Sequence, residues 1–510
     1  MRRDFAGLAI ALGCALAAPA HSAPRPDAAP ASPLLYDSGV RFDANELSVA
    51  LSNFGTIARD YQGTLGLEWP QGSGKRLIHG AGLWLLTLVT GVPEIHRSAM
   101  ADYGSEYTPG IMTGGGDATD PAGTNKTYYV YKITRADLTT PGRDYLNWPL
   151  IQSAPVDSLG NPLLIGDQTL YCTFNDAYAP EHGLPDGSVN PLQAEVHQTV
   201  FGFSRQASLS RVMFVHYRIQ NRSRFRWPEF YAGIWVDPDI GDPYDDLAGA
   251  DTVNQAAYAY DSEDSPAVEP NPAVGVCVLL DSLKDRFPPP IRSISAWSVD
   301  KDPESYSAAL NLVRGLQGTG APWLCSEDSS VTLFPYDGDP VAGTGCLDRI
   351  PGDKRLLIST GPFDVNPGAT IDLVVAFVVG SDAAATSVKD NVAALEEGFA
   401  AAHQAWRDMF SQVLPVPTQP ALSAAFPNPS QGVSSFDFTL PLGVTASEIQ
   451  VFDMRGRLLW RESVSLAHDG YFKLHWKGQT LGGVAAPPGI YFFKLLTDHG
   501  PFIQKTVRLR

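Results

Sequence analysis

The chain is short of cysteine, short of positive charge, and lacks any long apolar run beyond its first twenty residues. Of five cysteines in 510 residues, Cys14 lies in the N-terminal apolar stretch. Cys172, Cys277, Cys325 and Cys346 remain, and none shows the CxxC spacing of a zinc ligand set or a thioredoxin-like couple. Lys and Arg number 37 against 55 Asp and Glu, a formal charge of −18. That balance excludes nucleic acid and anionic membrane as partners, since both require a positive face. No later run approaches the ~20 apolar residues of a transmembrane helix. GxSxG, HExxH, a Walker loop and a post-strand GxGxxG are all absent, so no catalytic residue is nominated. With 47 Gly and 41 Pro, turns are frequent and long helices few.

What is present begins with an export signal. Arg2 and Arg3 precede the apolar stretch from Phe5 to Ala17, and Ala18, Ala20 and Ser22 offer small residues for cleavage. Residues 1–22 therefore read as a signal peptide, and the product is expected to be secreted or displayed at the cell surface by way of the periplasm. Ala11-Leu12-Gly13 before Cys14 is a poor lipobox. The Ala/Pro-rich stretch that follows reads as a disordered leader, 23–45.

From residue 46 to 412, short apolar runs alternate with Gly, Pro and Asp. "HGAGLWLLTLVTGV", "KTYYVYKIT", "RVMFVHYRIQN", "FYAGIWVD", "AVGVCVLL" and "IDLVVAFVVG" read as strands, and their spacing predicts an all-β antiparallel sandwich. One closing helix is expected over 387–410, where Val388, Val392, Leu395, Phe399, His403 and Trp406 share a face and Ser387 serves as N-cap. Five prolines between Pro415 and Pro429 break the chain, with 413–420 as linker. Residues 421–510 then read as a separate Ig-like sandwich. Hairpins are expected at Met454-Arg455-Gly456 and Asp498-His499-Gly500, and Trp476 is expected to point inward.

The elements "FPNPSQG", "IQVFDMRGRLLW", "WKGQTLGG", "PPGIYFFKL" and "QKTVRLR" resemble the C-terminal sorting domain of type IX secretion cargo. The matching positions are Pro427-Asn428-Pro429, Asp453 with Gly456, Trp476 with Gly478, Gly489 with Tyr491, and Lys505. The resemblance covers roughly residues 421–510 and implies delivery by an outer-membrane secretion machinery as partner. The same Ig-like pattern is also similar to that of flagellar hook-capping proteins. Upstream, "TFNDAY", "YRIQNRS" and "STGPFDVNPG" resemble large uncharacterised secreted proteins carrying this tail, a family that implies no activity.

"WVDPDIGDPYDDLAGAD" holds six aspartates, Asp237, Asp239, Asp242, Asp245, Asp246 and Asp251. So many carboxylates repel unless solvated or bridged by a cation, and calcium accepts six to eight oxygens in flexible geometry. These six are the candidate metal ligands, with calcium the only cofactor suggested. The spacing is not an EF-hand: Gly241 falls one place early, Asp242 occupies the invariant glycine position, and no Glu closes the loop. The competing reading is turn chemistry, since Asp-Pro and Gly-Asp-Pro steps cap local N–H groups. Asp261, Glu263 and Asp264 just downstream read as solvated acid.

Two function classes follow. The first is a non-enzymatic structural, adhesive or binding protein of the cell surface. The alternative is a carbohydrate-active or carbohydrate-binding protein. It would use Asp176, Glu181, His182, Asp186, Glu195 and His197, or a stacking surface of Trp69, Trp84, Trp148, Trp227 and Trp235; otherwise those tryptophans are core, and Glu195 and His197 lie on a solvent face. Turn formers between Cys325 and Cys346 predict a disulfide there, leaving Cys172–Cys277 by elimination.

Overall fold

In the computed structural model the chain is described over residues 40–59, 66–89, 95–113, 115–120, 125–157, 159–178, 182, 190–262, 271–279, 291–413, 421–422, 425, 430, 434–440, 446–463, 470–498 and 500–509. The signal peptide, residues 414–420 of the linker, Pro427-Asn428-Pro429, Glu181, Asp186, Glu263, Asp264 and His499 lie outside the described residues. Strand Val40–Phe42 pairs with Ser48–Leu51, so the first sheet begins within the stretch read as leader.

The fold is an all-β sandwich. A nine-stranded sheet places Arg76–Val89, Trp227–Pro238, Lys354–Val365 and Ser293–Ser298 side by side in that order. A six-stranded sheet runs Ala194–Gly202, Val212–Asn221, Thr370–Gly380, Ala273–Val278, Ala256–Asp261, Asp246–Asp251. All these pairings are antiparallel.

The unbroken apolar runs follow from burial on both faces. In Arg76–Val89, Leu83 and Leu85 enter the core between the sheets, while Trp84 and Leu86 face an outer core. In Thr370–Gly380, Leu373, Val375 and Phe377 point inward and Val374, Ala376 and Val378 outward. A strand has period two, so a sheet covered on both sides needs apolar residues at every position.

Each outer face carries a helix. Val388–Val413 covers the six-stranded sheet with Val388, Val392, Leu395, Phe399 and Trp406. It comes close because Gly380 lacks a Cβ, which would lie 2.4 Å from Asn391 O. His403 is packed on this face, Nε2 2.8 Å from Asn254 O. The Asp390 carboxylate accepts the Thr386 and Ser387 N–H groups at the helix start. A second helix, Tyr306–Val313, covers the nine-stranded sheet through Tyr306, Leu310 and Val313. At eight residues it is too short for its periodicity to be read from sequence. "KTYYVYKIT" is strand only over Tyr131–Thr134.

Cys325 and Cys346 form a disulfide, Cα atoms 5.2 Å apart and 21 positions apart in sequence. The chain-entropy relation gives about 3 kcal/mol for such a loop. Replacing both cysteines with serine should lower the unfolding free energy by that amount in a denaturant titration. Cys172 and Cys277 are buried thiols and do not form the second bridge. Cys172 faces the core between the sheets, whereas Cys277 faces the helix-covered core.

The C-terminal residues build their own two sheets. One joins Ala421–Leu422, Ser434–Leu440 and Gly470–Trp476; the other runs Leu458–Ser463, Ala446–Asp453, Gly489–Thr497, Gly500–Arg508. Leu422, Phe436, Ile449, Val451, Trp476, Tyr491, Phe493 and Leu495 from both sheets close a separate core.

Candidate functional site

The six aspartates of residues 235–251 part into three environments. Asp237 ends the Trp227–Pro238 strand two residues beyond Trp235, so both point to the outer face of the nine-stranded sheet. Val236 is in register with Leu356, which brings Arg355 alongside. Arg355 Nη1 lies 2.5 Å from Asp237 Oδ1 and also pairs with Asp353. Tyr103, its ring edge-on to Trp235, donates its hydroxyl to Asp237 Oδ2 at 2.7 Å. Arg59 and Arg355 both lie over the Tyr103 ring. Burial alone would lower the Arg355 pKa, but Asp237, Tyr103, Asp353 and Asp302 outweigh it and raise it. A guanidinium keeps its proton, whereas burial raises Asp237 to about 8, with Arg355 and the Tyr103 hydroxyl opposing and Asp239 and Asp353 adding.

Asp237, Asp239 and Asp353 present oxygens all within 4.8 Å of one another, a spacing that a metal could use. Here Arg355 contacts two of the three, and the cation is the chain's own. Asp239 is raised to about 6 by burial, with Asp353 adding and Arg355 opposing. His79 Nδ1 is 3.6 Å from Asp239 Oδ2, and burial followed by Arg59 and Arg76 lowers its pKa.

Asp242 and Asp251 are turn acceptors. Asp242 Oδ1 takes the Tyr244 N–H. Asp251 Oδ1 takes Val253 and Asn254 N–H, and its Oδ2 the Asn254 amide. For these two the capping reading fits the geometry, because local donors already satisfy the carboxylates.

Asp245 and Asp246 stand apart from both groups. Asp246 opens the Asp246–Asp251 strand and lies directly opposite Asp261. It is fully buried, and its Oδ2 accepts only the Ile240 N–H at 3.3 Å. Its Oδ1 has no hydrogen-bond partner. Burial raises its pKa to about 9, the Ile240 N–H opposing and Asp239, Asp245 and Asp261 adding. Asp261 is buried and accepts from Asn271, so it is not the solvated acid the sequence suggests.

The second sequence candidate divides into two buried networks. Asp176 accepts the Leu192 and Ala194 N–H groups at 2.5 and 2.6 Å. His182 Nε2 lies 2.8 Å from Asp176 O, and its Nδ1 is 3.6 Å from Glu106 Oε2. Burial raises Glu106 to about 8 and Asp176 to about 7, and lowers His182 to about 4. Acids whose folded pKa exceeds the unfolded value bind more protons when folded. Their contribution is therefore full below the unfolded pKa and falls as pH rises through the folded one. Stability should decline from about pH 5 to pH 8. Glu106→Gln, still able to accept from Ser98 and the Met100 N–H, should flatten that decline in melts run across the range.

Glu195 and His197 are not on a solvent face. Gln152 and Tyr171 cover them: His197 Nδ1 meets the Tyr171 hydroxyl at 2.8 Å and Nε2 meets Glu195 Oε1 at 2.9 Å. Arg222 binds the same Glu195 oxygen at 2.6 Å. Burial would raise Glu195, but His197, Arg222 and the Met112 N–H together hold it below its ordinary value. This is a structural relay in which each side chain is bonded inside the protein, with Arg222 Nε left without a partner.

The tryptophans are core. Trp84, Trp148, Trp227 and Trp235 are buried, and Trp69 is half-buried with its N–H on Glu46. Tyr103, Glu106, Arg222, Asp353 and Arg355 are the members of these networks that sequence reasoning missed. A weak signal existed in "GDKR", where Asp353 and Arg355 are two apart and so share a strand face.

No family model and no curated protein matches the chain. Among solved structures it is similar to a polysaccharide lyase at 7% identity and a TM-score of 0.23, over 93% of this chain and 46% of that one. It is also similar to PorZ, an essential surface component of the type IX secretion system of Porphyromonas gingivalis, at 10% identity and a TM-score of 0.14, over 69% of this chain and 45% of that one. The chain spans less than half the length of either protein, and likeness at this level carries no argument about chemistry.

Proposed function

We propose that the protein is an exported cell-surface component with a non-enzymatic structural or binding role, delivered by residues 421–510. The observation that carries this reading is the separate core of the tail, closed by Trp476, Tyr491 and Phe493. Those residues fall in the elements that resemble a type IX sorting domain. The last hairpin, Gly489–Thr497 with Gly500–Arg508, lies at one side of its sheet, and Gly500–Arg508 is the final strand in the order. Ser430 pairs with the end of this strand, donating its N–H to Val507 O and accepting from the Leu509 N–H; the unpaired backbone groups of an edge strand are ones that a receptor can read. The outer-membrane secretion machinery is the partner this implies. Upstream, Asp176, Glu195, His197 and Asp237 have partners inside the protein and four of the five candidate tryptophans are buried, which favours a scaffold over a carbohydrate-active site. No helix among the described residues is long and apolar enough to cross a membrane. Truncation after residue 412 tests the reading: the shortened chain should fold and stay in the periplasm. Surface display of the truncated chain would reduce the tail to a structural module.

A further inference from the structure

The exposed apolar side chains of the described residues are not spread evenly. Six of them, Leu138, Leu146, Leu150, Ile151, Val156 and Leu159, fall within one excursion between the strands Tyr131–Thr134 and Gln168–Asn175. Leu146 is 71%, Leu159 85% and Ile151 90% exposed. The excursion is a built knob. Trp148 is buried with Tyr131, Ile133, Ala154 and Tyr171, and its indole N–H donates to Pro155 O at 2.8 Å. Backbone bonds from Asn147 to Arg143 O, from Ser153 to Leu150 O and from Ala154 to Pro149 O close the turns around it. Gln152 anchors the knob from below, its Nε2 on Thr127 O and its Oε1 accepting the Thr173 hydroxyl. The Gly142 N–H on Asp137 ties the Leu138 turn to the same base. Single exposed apolar residues are ordinary, but a group of them held out on a fixed base is an interaction surface.

We propose that this knob is a docking surface for a second copy of the chain, the six side chains being buried across a two-fold axis. Charge and area name that occupant. Between Asp144 and Asp167 the sequence holds one charged residue, Asp157. Its carboxylate is taken up by the Leu159 and Asn161 N–H groups and the Asn161 amide. The flanking cations are also engaged, Arg135 with Asp167 and Arg143 over the Tyr129 ring. A two-fold contact sets a patch against itself, and the centre of an interface is where charge is depleted. In a chain of net charge −18, two copies repel over most of their surface, and an uncharged knob escapes that repulsion. By area, the six side chains leave on the order of 600 Å² of apolar surface per copy, the upper end for an ordinary monomer and close to the ~800 Å² that each partner gives to a stable interface. Other occupants fit less well. The stretch between Asp144 and Asp167 has no Lys or Arg to meet a lipid headgroup, and Trp148, the ring on which a sugar would stack, is buried. The inference is independent of how the protein is delivered.

The test is analytical ultracentrifugation of the mature full-length chain over about 1–100 μM, a range that brackets a dissociation constant on the order of 10 μM, the weak end for interfaces of this size. A monomer–dimer equilibrium is expected, and it should tighten as salt is added, because salt screens the like net charges and leaves the apolar contact in place. Leu146→Glu with Ile151→Glu sets like charges face to face and should weaken the dimer by about 100-fold or more, leaving a monomer throughout the range. Both side chains are exposed, so the far-UV circular dichroism should match the wild type. Leu150→Ser with Ile151→Ser adds no charge, and should weaken the dimer about tenfold by loss of apolar area. Leu324→Glu, exposed on the separate hairpin of Trp323–Leu324 with Val331–Thr332, should dimerise as the wild type does. A wild type that stays monomeric, either double variant dimerising undiminished, or an equal loss in Leu324→Glu overturns the inference. So does a monomer that co-sediments with phosphatidylcholine vesicles, which would make the knob a lipid contact.

Discussion

Arg355→Met should cost the sandwich about 3–5 kcal/mol, the range for removing one member of a buried ion pair. The side chain is 5% exposed and Asp237 4%. Methionine keeps the apolar stem but withdraws the charge and the guanidinium that lies over the Tyr103 ring. Asp237 would then share its pocket with Asp353 and the nearby Asp239 and have no cation. The deficit should shrink as pH falls, since the stranded carboxyl would take up a proton more readily folded than unfolded. Adding Asp237→Leu should recover much of the loss, because an apolar pair of similar volume is often neutral in place of a buried bridge. Urea unfolding of the three proteins at neutral pH reads the effect directly. A loss below about 1 kcal/mol would place Arg355 among solvated surface pairs.

Trp476→Ala should unfold the tail and leave the sandwich standing. Trp476 is fully buried, its ring centroid 5.1 Å from Tyr491 and 5.8 Å from Phe493. Its N–H donates to Gln479 O at 2.8 Å. Truncating a buried tryptophan costs about 3–5 kcal/mol. Small units have only about 5–15 kcal/mol in total, so this single change takes most of the tail's margin. None of the tail's core residues belongs to the sandwich cores. Calorimetry should therefore show the tail transition lost or lowered by many degrees and the sandwich transition in place. One merged transition that falls as a whole would contradict separate cores.

The strands were legible because burial on both faces writes itself into composition. "IDLVVAFVVG" has to be apolar at successive positions once a sheet lies on one side and a helix on the other. The tail was legible because its turns carry glycine where φ is positive, as at Gly456 and Gly500. The networks were not. Asp237 meets Arg355, and Asp246 meets Asp261, only through strand register, and register is set by partners distant in sequence. The six-aspartate loop looked like one site because its residues are neighbours in the chain. Strand alternation, local turns and the partner strand sent them to three places. Glu195 and His197 misled for a related reason: their alternation suggested a wet face, but the segment around Gln152 and Tyr171 folds over it.

Transfer of delivery is the most direct measure of the central claim. Residues 421–510 would be fused behind a signal peptide and a reporter with no surface role, in a host possessing a type IX system, and the reporter's accessibility to protease on intact cells measured. Accessible reporter with the wild-type tail, and periplasmic reporter with the Trp476→Ala tail or in a strain lacking the translocon, is the predicted result. Periplasmic retention with the wild-type tail, or equal display with and without the translocon, would contradict it.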